Sequence, residues 1–290
     1  MRLALIFVLL LGVTAAQAET PAALFTDPPR DAVHPAAMAY VRIPSQGALM
    51  NGVLYQAAGA GPHPAVLLLH GFPGNEQNLD LAQAMRRAGF NVLTLHYRGS
   101  WGSPGTFSFH NAIEDADAAV RFLRDPANVA KFGIDTSRIF VAGHSMGGFL
   151  AASAAVHDSA IAGLIMISAW DIGHDGGQFR NKAIREAAMN DEFRDDAIPL
   201  AGTTADQLID EAIASAKDWD FVDWAPRLKT RPVLLINADD GNGPDSHRLA
   251  LALTAAGDPS VAEIHMTTDH PYSDHRIALM SAVLDWLASN

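Results

Sequence analysis

The sequence has 290 residues, of which 49% are hydrophobic and 18% are charged, enough apolar material for one large domain or two small ones. Its 20 basic and 32 acidic side chains give a formal net charge of −12. A surface this acidic repels phosphate backbones and anionic lipid, so we expect no nucleic-acid partner. The sequence contains no cysteine, which excludes disulfides, thiolate metal sites and a cysteine nucleophile.

The first 18 residues have the pattern of a cleavable signal peptide. After a short positive start, residues 3–13 form an almost unbroken apolar run, and the Ala-Gln-Ala at 16–18 matches a small-x-small cleavage site. The apolar run is too short to span a bilayer as a helix. We therefore predict a periplasmic or secreted mature chain that begins near residue 19 and has no membrane insertion.

After a proline-rich, irregular lead-in at residues 19–38, the chain alternates between strands and helices. Residues 40–43 and 50–55 predict an antiparallel pair of strands. Short apolar runs predict strands buried on both faces at 65–69, 91–95, 139–142, 161–167, 233–236 and 261–266. Apolar residues recur at helical spacing between these runs. This alternation predicts an α/β domain over residues 39–290, with a mostly parallel, doubly wound sheet.

One segment interrupts the alternation of strands and helices. Residues 171–226 contain no run typical of a buried strand and are rich in Asp, Ala, Arg and Asn. The stretches 181–189 and 204–216 have helical patterns. An insertion of this size between two core strands predicts a small helical cap.

The hexapeptide at residues 143–148, Gly-His-Ser-Met-Gly-Gly, lies between a predicted strand and a predicted helix. This is the G-x-S-x-G pattern in the strand–turn–helix context that exposes a nucleophilic serine. Glycines are needed because the turn is sharp and leaves no room for side chains beside it. The helix that follows directs its N-terminal amides at developing negative charge. We therefore predict that Ser145 is a nucleophile.

A nucleophilic serine requires amide donors for the oxyanion that its attack creates. The glycine-bearing loop after the strand at 65–69 provides one donor, and the residue after the serine provides the other. The backbone N–H groups of Phe72 and Met146 are the predicted donors, since Pro73 has no N–H. For His70, at the end of that strand, we favour an orienting role over that of a catalytic base.

Serine also requires a histidine that takes its proton and a carboxylate that holds the histidine. In proteins with this elbow, the acid and then the histidine follow the serine along the chain. Asp239 and Asp240 both follow the strand at 233–236, and Asp240 is favoured because it stands further past the strand end. For the histidine we favour His270, on the loop after the last strand, over His275 at the start of the last helix.

Five segments resemble the α/β-hydrolase superfamily, in the branch that contains prolyl-oligopeptidase-like and dienelactone-hydrolase-like enzymes. They run in family order, over roughly three quarters of the chain: HGFPGN at 70–75, YRGSWGSPG at 97–105, GHSMGG at 143–148, PVLLINADDG at 232–241 and TDHPYSDHR at 268–276. The resemblance implies the triad Ser145, Asp240 and His270 and no cofactor. The family usually places a longer turn before the acid, so Asp239 stays an alternative, and the propeller domain of true prolyl oligopeptidases is missing.

Two tryptophans and one histidine-rich loop are further candidates for the site. Trp101 and Trp170 either bind substrate as walls of an acyl pocket or pack the cap. The loop at 269–275 carries Asp and His residues but lacks additional identifiable ligands, so we expect no metal.

These features predict a serine hydrolase that cleaves a small carboxylic ester through an acyl-enzyme. A peptidase or amidase that acts on short peptides uses the same residues and differs only in its pocket. A ligand-binding protein that keeps the fold without the chemistry is the third hypothesis, and the complete set of triad candidates argues against it.

Overall fold

A computed structural model describes residues 20–258 and 260–290, and the predicted signal peptide lies outside them. One sheet runs through the centre of the described chain. Its strands are β1 (Ala37–Ser45), β2 (Ala48–Gln56), β3 (His63–Leu69), β4 (Asn91–Leu95), β5 (Ile134–His144), β6 (Gly163–Ile167), β7 (Val233–Asn237) and β8 (Val261–His265).

The strand order in this sheet is β1-β2-β4-β3-β5-β6-β7-β8. Strand β2 pairs antiparallel with β1, where Tyr40 lies opposite Val53, and with β4, where Leu54 lies opposite Leu93. The remaining pairs of neighbouring strands are parallel. Strands β4, β6 and β7 are buried at every position, because helices cover both faces of the sheet. The prediction of a mostly parallel, doubly wound sheet is confirmed.

The helices lie in two layers on opposite faces of the sheet. They are α1 (Leu79–Arg87), α2 (Phe109–Arg124), α3 (Pro126–Phe132), α4 (Met146–His157), α5 (Ile172–Gln178), α6 (Lys182–Ala188), α7 (Arg194–Asp196), α8 (Ala205–Trp219), α9 (Ala225–Leu228), α10 (Gly243–Ala255) and α11 (Arg276–Ser289). Helices α1 and α11 contribute to the core on one face, and α2, α4, α8 and α10 contribute to the core on the other. Within the described residues, no helix is long and apolar enough to cross a membrane.

Residues 171–226 lie between β6 and β7 and form helices and irregular segments. We refer to these residues as the cap insertion. A π-helical turn, Met189–Phe193, joins α6 to α7, and a 3-10 turn, Phe221–Trp224, precedes α9. The insertion is tied to the loop after β4 by two backbone hydrogen bonds. Ala201 N–H donates to Gly99 O at 2.7 Å, and Phe107 N–H donates to Ala201 O at 2.9 Å.

Helix α5 packs directly against α8, with backbone touching backbone. A Cβ atom added to Gly176 would lie 2.2 Å from Ala212 O, which is closer than any real contact. The neighbouring Gly177 is exposed, and a Cβ added there would have no atom within 4 Å. The sequence of α5 therefore fixes how closely the two cap helices approach.

The two glycines of α5 provide a matched test of this packing. We expect Gly176→Ala to lower the free energy of unfolding by about 1–3 kcal/mol, because the methyl group forces the helices apart. Gly177→Ala should raise it by about 0.4–1 kcal/mol, because alanine restricts the unfolded chain at an open helical position. Urea denaturation measures both values, and equal effects of the two substitutions would contradict the packing.

Candidate active site

Ser145 stands in a sharp turn between β5 and α4. Its backbone has φ 57° and ψ −124°, a conformation that residues with a side chain rarely adopt. A Cβ atom on Gly143 would lie 1.9 Å from Gly147 O, and one on Gly147 would lie 2.1 Å from Leu69 O. The turn therefore closes only with glycine at both positions, as the sequence pattern indicates.

Hydrogen bonds to the next strand and the following segment hold this strained turn. Ser145 N–H donates to Ile167 O at 2.9 Å, and Ser145 O accepts from Gly148 N–H at 2.9 Å and from Trp170 N–H at 3.1 Å. A strained conformation persists only where its surroundings determine it completely. The half-buried Ser145 side chain is thereby presented at the carboxyl edge of the sheet.

The loops after β7 and β8 bring a carboxylate and an imidazole together at the same edge. The distance from His270 Nδ1 to Asp240 Oδ2 is 2.7 Å, and the Asp240 side chain is only 3% exposed whereas that of His270 is 37% exposed. The alternative acid, Asp239, is directed to the surface and pairs there with His265. The alternative histidine, His275, lies against Asp274. Of the predicted candidates, the structure therefore joins Asp240 with His270.

Hydrogen bonds hold the buried Asp240 carboxylate in its ionised form. Burial by itself raises the pKa of Asp240, but hydrogen bonds from His270, from the Ser168 hydroxyl and from Asn242 N–H outweigh burial and leave the pKa below its usual value. Ser168 is fully buried, and its Oγ lies 2.9 Å from Tyr272 Oη. The sequence interpretation did not single out Ser168, Asn242 or Tyr272, since each acts only through its neighbours in space.

His144, the residue before the serine, supports the loop that carries His270. Its Nε2–H donates to His270 O at 2.9 Å, and the two ring centroids are 4.5 Å apart. Burial in the first place, and then the adjacent His270, lower the pKa of His144 to about 3, so the ring is neutral. His144 occupies the first variable position of the G-x-S-x-G pattern, and the sequence analysis assigned no role to this position.

The loop after β3 lies directly beside the serine. A Cβ atom on Gly71 would lie 2.9 Å from Ser145 Cβ, so glycine permits this approach. Phe72 is next in this loop, and Met146 is the first residue of α4, so both predicted amide donors flank the serine in the chain fold. His70 is buried, and its Nδ1–H donates to Gly71 O at 2.8 Å. Burial lowers the pKa of His70 to about 4, so a neutral, orienting ring is the role that this position permits.

A cavity of about 490 Å³ opens above the serine. The residues that line it are Phe72, Ser145, Trp170, Asp175, Asp196, Asp240, Gly241, Asn242 and His270. Three of these side chains are carboxylates, and among the described residues no lysine or arginine lines this cavity. The lining of the cavity therefore combines aromatic rings with carboxylates.

The two predicted tryptophans have different positions. Trp170 lines the cavity, whereas Trp101 is not among the residues that line it, so substrate binding by Trp101 stays a prediction. The reason is local: Trp101 adopts a positive φ of 45°, and its Nε1–H donates to Pro73 O at 2.7 Å. The Trp101 ring thus supports the loop after β3 from the outside.

Buried aromatic rings pack behind Phe72, one of the residues that line the cavity. The ring of Phe72 lies 5.5 Å from that of Phe193, 5.7 Å from that of Phe109 and 6.4 Å from that of Trp170. Phe193 belongs to the π-helical turn of the cap insertion and is fully buried. The cap therefore packs directly on a residue that carries a predicted oxyanion donor.

Sequence comparison identifies the family. The profile of the family described as serine aminopeptidase, S33, matches residues 60–208, just over half of the chain. Esterase EstD of Thermotoga maritima is 33% identical over 122 residues, which cover 38% of this chain. The chain spans 28% of the length of that curated relative.

Solved structures share the fold over nearly the whole chain. An esterase of Pyrobaculum calidifontis has a TM-score of 0.66 at 20% identity, covering 89% of this chain and 87% of its own. The carboxylesterase EstE1, cloned from a metagenomic library, has a TM-score of 0.65 at 20% identity, covering 88% and 90%. An acylaminoacyl peptidase of Pyrococcus horikoshii has a TM-score of 0.66 at 16% identity, covering 87% of this chain and 41% of its own.

The family match, the strained serine elbow and the shared fold lead to one conclusion, which the resemblance in the sequence also predicts. This chain belongs to the serine aminopeptidase, S33, family of α/β-hydrolases.

Proposed function

We propose that the protein hydrolyses carboxylic esters through an acyl-enzyme at Ser145. The observation that carries this proposal is that Ser145 and the Asp240–His270 pair line one cavity. Because His270 directs Nδ1–H at the carboxylate, Nε2 is the ring atom that can accept the serine proton. The esterase names of EstD and of two similar structures support this choice of substrate class.

The proposed reaction has two steps with the same groups in reversed roles. His270 Nε2 takes the Ser145 proton as Oγ attacks the ester carbonyl, and the amides of Phe72 and Met146 bind the oxyanion. The oxyanion collapses, the C–O bond to the alcohol breaks, and His270 returns the proton to the departing alcohol. A water molecule then attacks the acyl-enzyme with the help of His270 and releases the acid and free Ser145.

The carboxylate Asp240 acts through His270 in this reaction. It fixes the ring with Nδ1 protonated and stabilises the imidazolium that forms when Nε2 takes the proton. Since hydrogen bonds keep the pKa of Asp240 low, the residue stays ionised through the cycle. If the predicted signal peptide is cleaved, the enzyme acts in the periplasm or outside the cell.

The neighbouring aspartates allow a matched test of the proposed triad. Asp240→Asn should lower kcat on p-nitrophenyl esters about 10,000-fold, because the amide holds the wrong histidine tautomer, while Asp239→Asn should change it less than about twofold. Ser145→Ala should lose covalent labelling by a fluorophosphonate probe. Labelling that survives Ser145→Ala in folded protein, or equal effects of the two aspartate substitutions, would refute the proposal.

A peptidase that recognises a free amino terminus is the second candidate. The carboxylates in the cavity lining favour it, since Asp175 and Asp196 suit a substrate ammonium group. Trp170 also lines the cavity, with its Nε1–H bonded to Asp175 at 2.7 Å, and offers a ring to a cation. The description of the matching family, serine aminopeptidase, is compatible with this chemistry.

Aminoacyl anilides with a free and with an acetylated amino group separate the two candidates. On the peptidase hypothesis, kcat/KM is higher for the free amine, and Asp196→Asn lowers that preference about tenfold. Asp195→Asn, an exposed neighbour outside the cavity, is the control and should leave the preference unchanged. Turnover of neutral esters with no anilide cleavage would leave esterase activity as the function.

A further inference from the structure

A fully buried carboxyl group stands where the cap insertion leaves the sheet. Asp171 follows β6 and caps the N-terminus of α5, with its Oδ1 accepting from His174 N–H at 3.0 Å. The residue is 1% exposed. Among the described residues, no N–H or O–H donor reaches its second oxygen, Oδ2. A buried, unbonded carboxylate oxygen is costly, so the protonation of this group needs an explanation.

Two further carboxylates face Asp171 from other elements. Helix α5 lies so close to the end of α8 that a Cβ atom on Gly173 would lie 2.0 Å from Asp220 N, which brings Asp220 to Asp171. Asp245, in the first turn of α10, is the third acidic group. The two ends of the cap insertion and the helix after the triad acid therefore meet at this point.

Among the residues that the structure describes, one cation, Arg248, bonds to this group of carboxylates, and it has no hydrogen bond to Asp171. Arg248 Nη2 donates to Asp220 at 3.2 Å, and Nη1 donates to Asp245 at 2.6 Å. The same Nη1 donates to His174 Nδ1 at 3.0 Å, which requires that nitrogen to be unprotonated. The remaining acid on α5, Asp175, accepts instead from Trp170 Nε1.

A proton on Asp171 resolves this arrangement. Three ionised carboxylates beside one guanidinium would leave an uncompensated buried charge, whereas a carboxylic acid can donate its hydrogen to a neighbouring carboxylate. Burial in the first place, and then the charges of Asp220 and Asp245, raise the pKa of Asp171 to about 8. The pair Asp171–Asp220 therefore shares one proton at neutral pH.

We propose that Asp171 is a positioning residue of the active site, whose shared proton bonds it to Asp220 and fixes the cap insertion against the core. Its neighbours in the chain connect it to the site: Trp170 N–H donates to Ser145 O, and Trp170 Nε1–H donates to Asp175. Trp170 and Asp175 both line the cavity. Loss of the proton therefore makes Trp170 and Asp175 less firmly positioned in the cavity and weakens substrate binding. The effect on binding rests on the proposed function.

The direction of the pH dependence follows from the raised pKa of Asp171. The folded protein keeps a proton that the unfolded chain loses above the ordinary aspartate pKa, so this group makes the protein less stable as pH rises from about 4 to about 8. Above that range Asp171 is ionised in both states and exerts its full destabilising effect. Raising the pH through the Asp171 pKa should therefore lower Tm and raise KM.

The substitution Asp171→Asn tests the proposal, since its amide keeps the capping oxygen and donates an N–H to Asp220 at every pH. In the wild type, we expect Tm to fall by several degrees and KM for a p-nitrophenyl ester to rise about tenfold between about pH 6 and 9, with kcat little changed. In Asp171→Asn both changes should be absent. The control Asp125→Asn alters an exposed helix cap on α3 and should keep the wild-type profile.

Separate readouts distinguish a failure of this inference from a failure of the proposed function. The Tm profile needs no turnover, so it decides the role of Asp171 even if no ester is cleaved. A constant Tm difference between wild type and Asp171→Asn at all pH values would show an ordinary helix cap and overturn the proposal. If Asp171→Asn does not fold, the infrared band of a protonated carboxyl group is measured in the wild type. Its disappearance as pH rises through about 8 supports the proposal, and its absence at about pH 6 refutes the proposal.

Discussion

The strained backbone of Ser145 is the constraint on which the rest of the structure depends. The serine can occupy this turn only because glycines at 143 and 147 let β5, α4 and the end of β3 approach to contact distance. The same turn bonds to β6 through Ile167 O and to the residue directly before the cap insertion through Trp170 N–H. The central strands, the loop after β3 and the cap are therefore all positioned relative to one hydroxyl group.

Near this turn, the hydrogen-bond partners of a buried titratable side chain determine its protonation state. Asp240 is ionised because three donors reach it, whereas His144 is neutral because its burial outweighs its bond to His270 O and the charge of Asp240. Asp171 lacks a donor at one oxygen and is best satisfied as an acid. The number of donors that reach each carboxyl group therefore decides which protonation state it adopts.

The cap insertion is part of the site rather than a loose cover. It contributes Asp175 and Asp196 to the lining of the cavity and Phe193 to the aromatic packing behind Phe72, and Trp170 directly precedes it. Its two hydrogen bonds to the loop after β4 and the close contact of α5 with α8 make it continuous with the core. On the proposed function, the choice between a neutral ester and a cationic peptide would therefore depend on the cap, while the chemistry would depend on the sheet edge.

The sequence by itself determined the alternation of strands and helices and the serine elbow, because these follow from the period of apolar residues and the spacing of glycines. It also limited the acid and the histidine to two candidates each, because of their positions after predicted strands. Only the tertiary structure decided that Asp240 rather than Asp239 reaches His270, since adjacent residues point in different directions from the same turn. It likewise placed Trp101 outside the cavity and brought Asp171 to Asp220. Contacts between segments far apart in the chain depend on packing, and no local spacing encodes them.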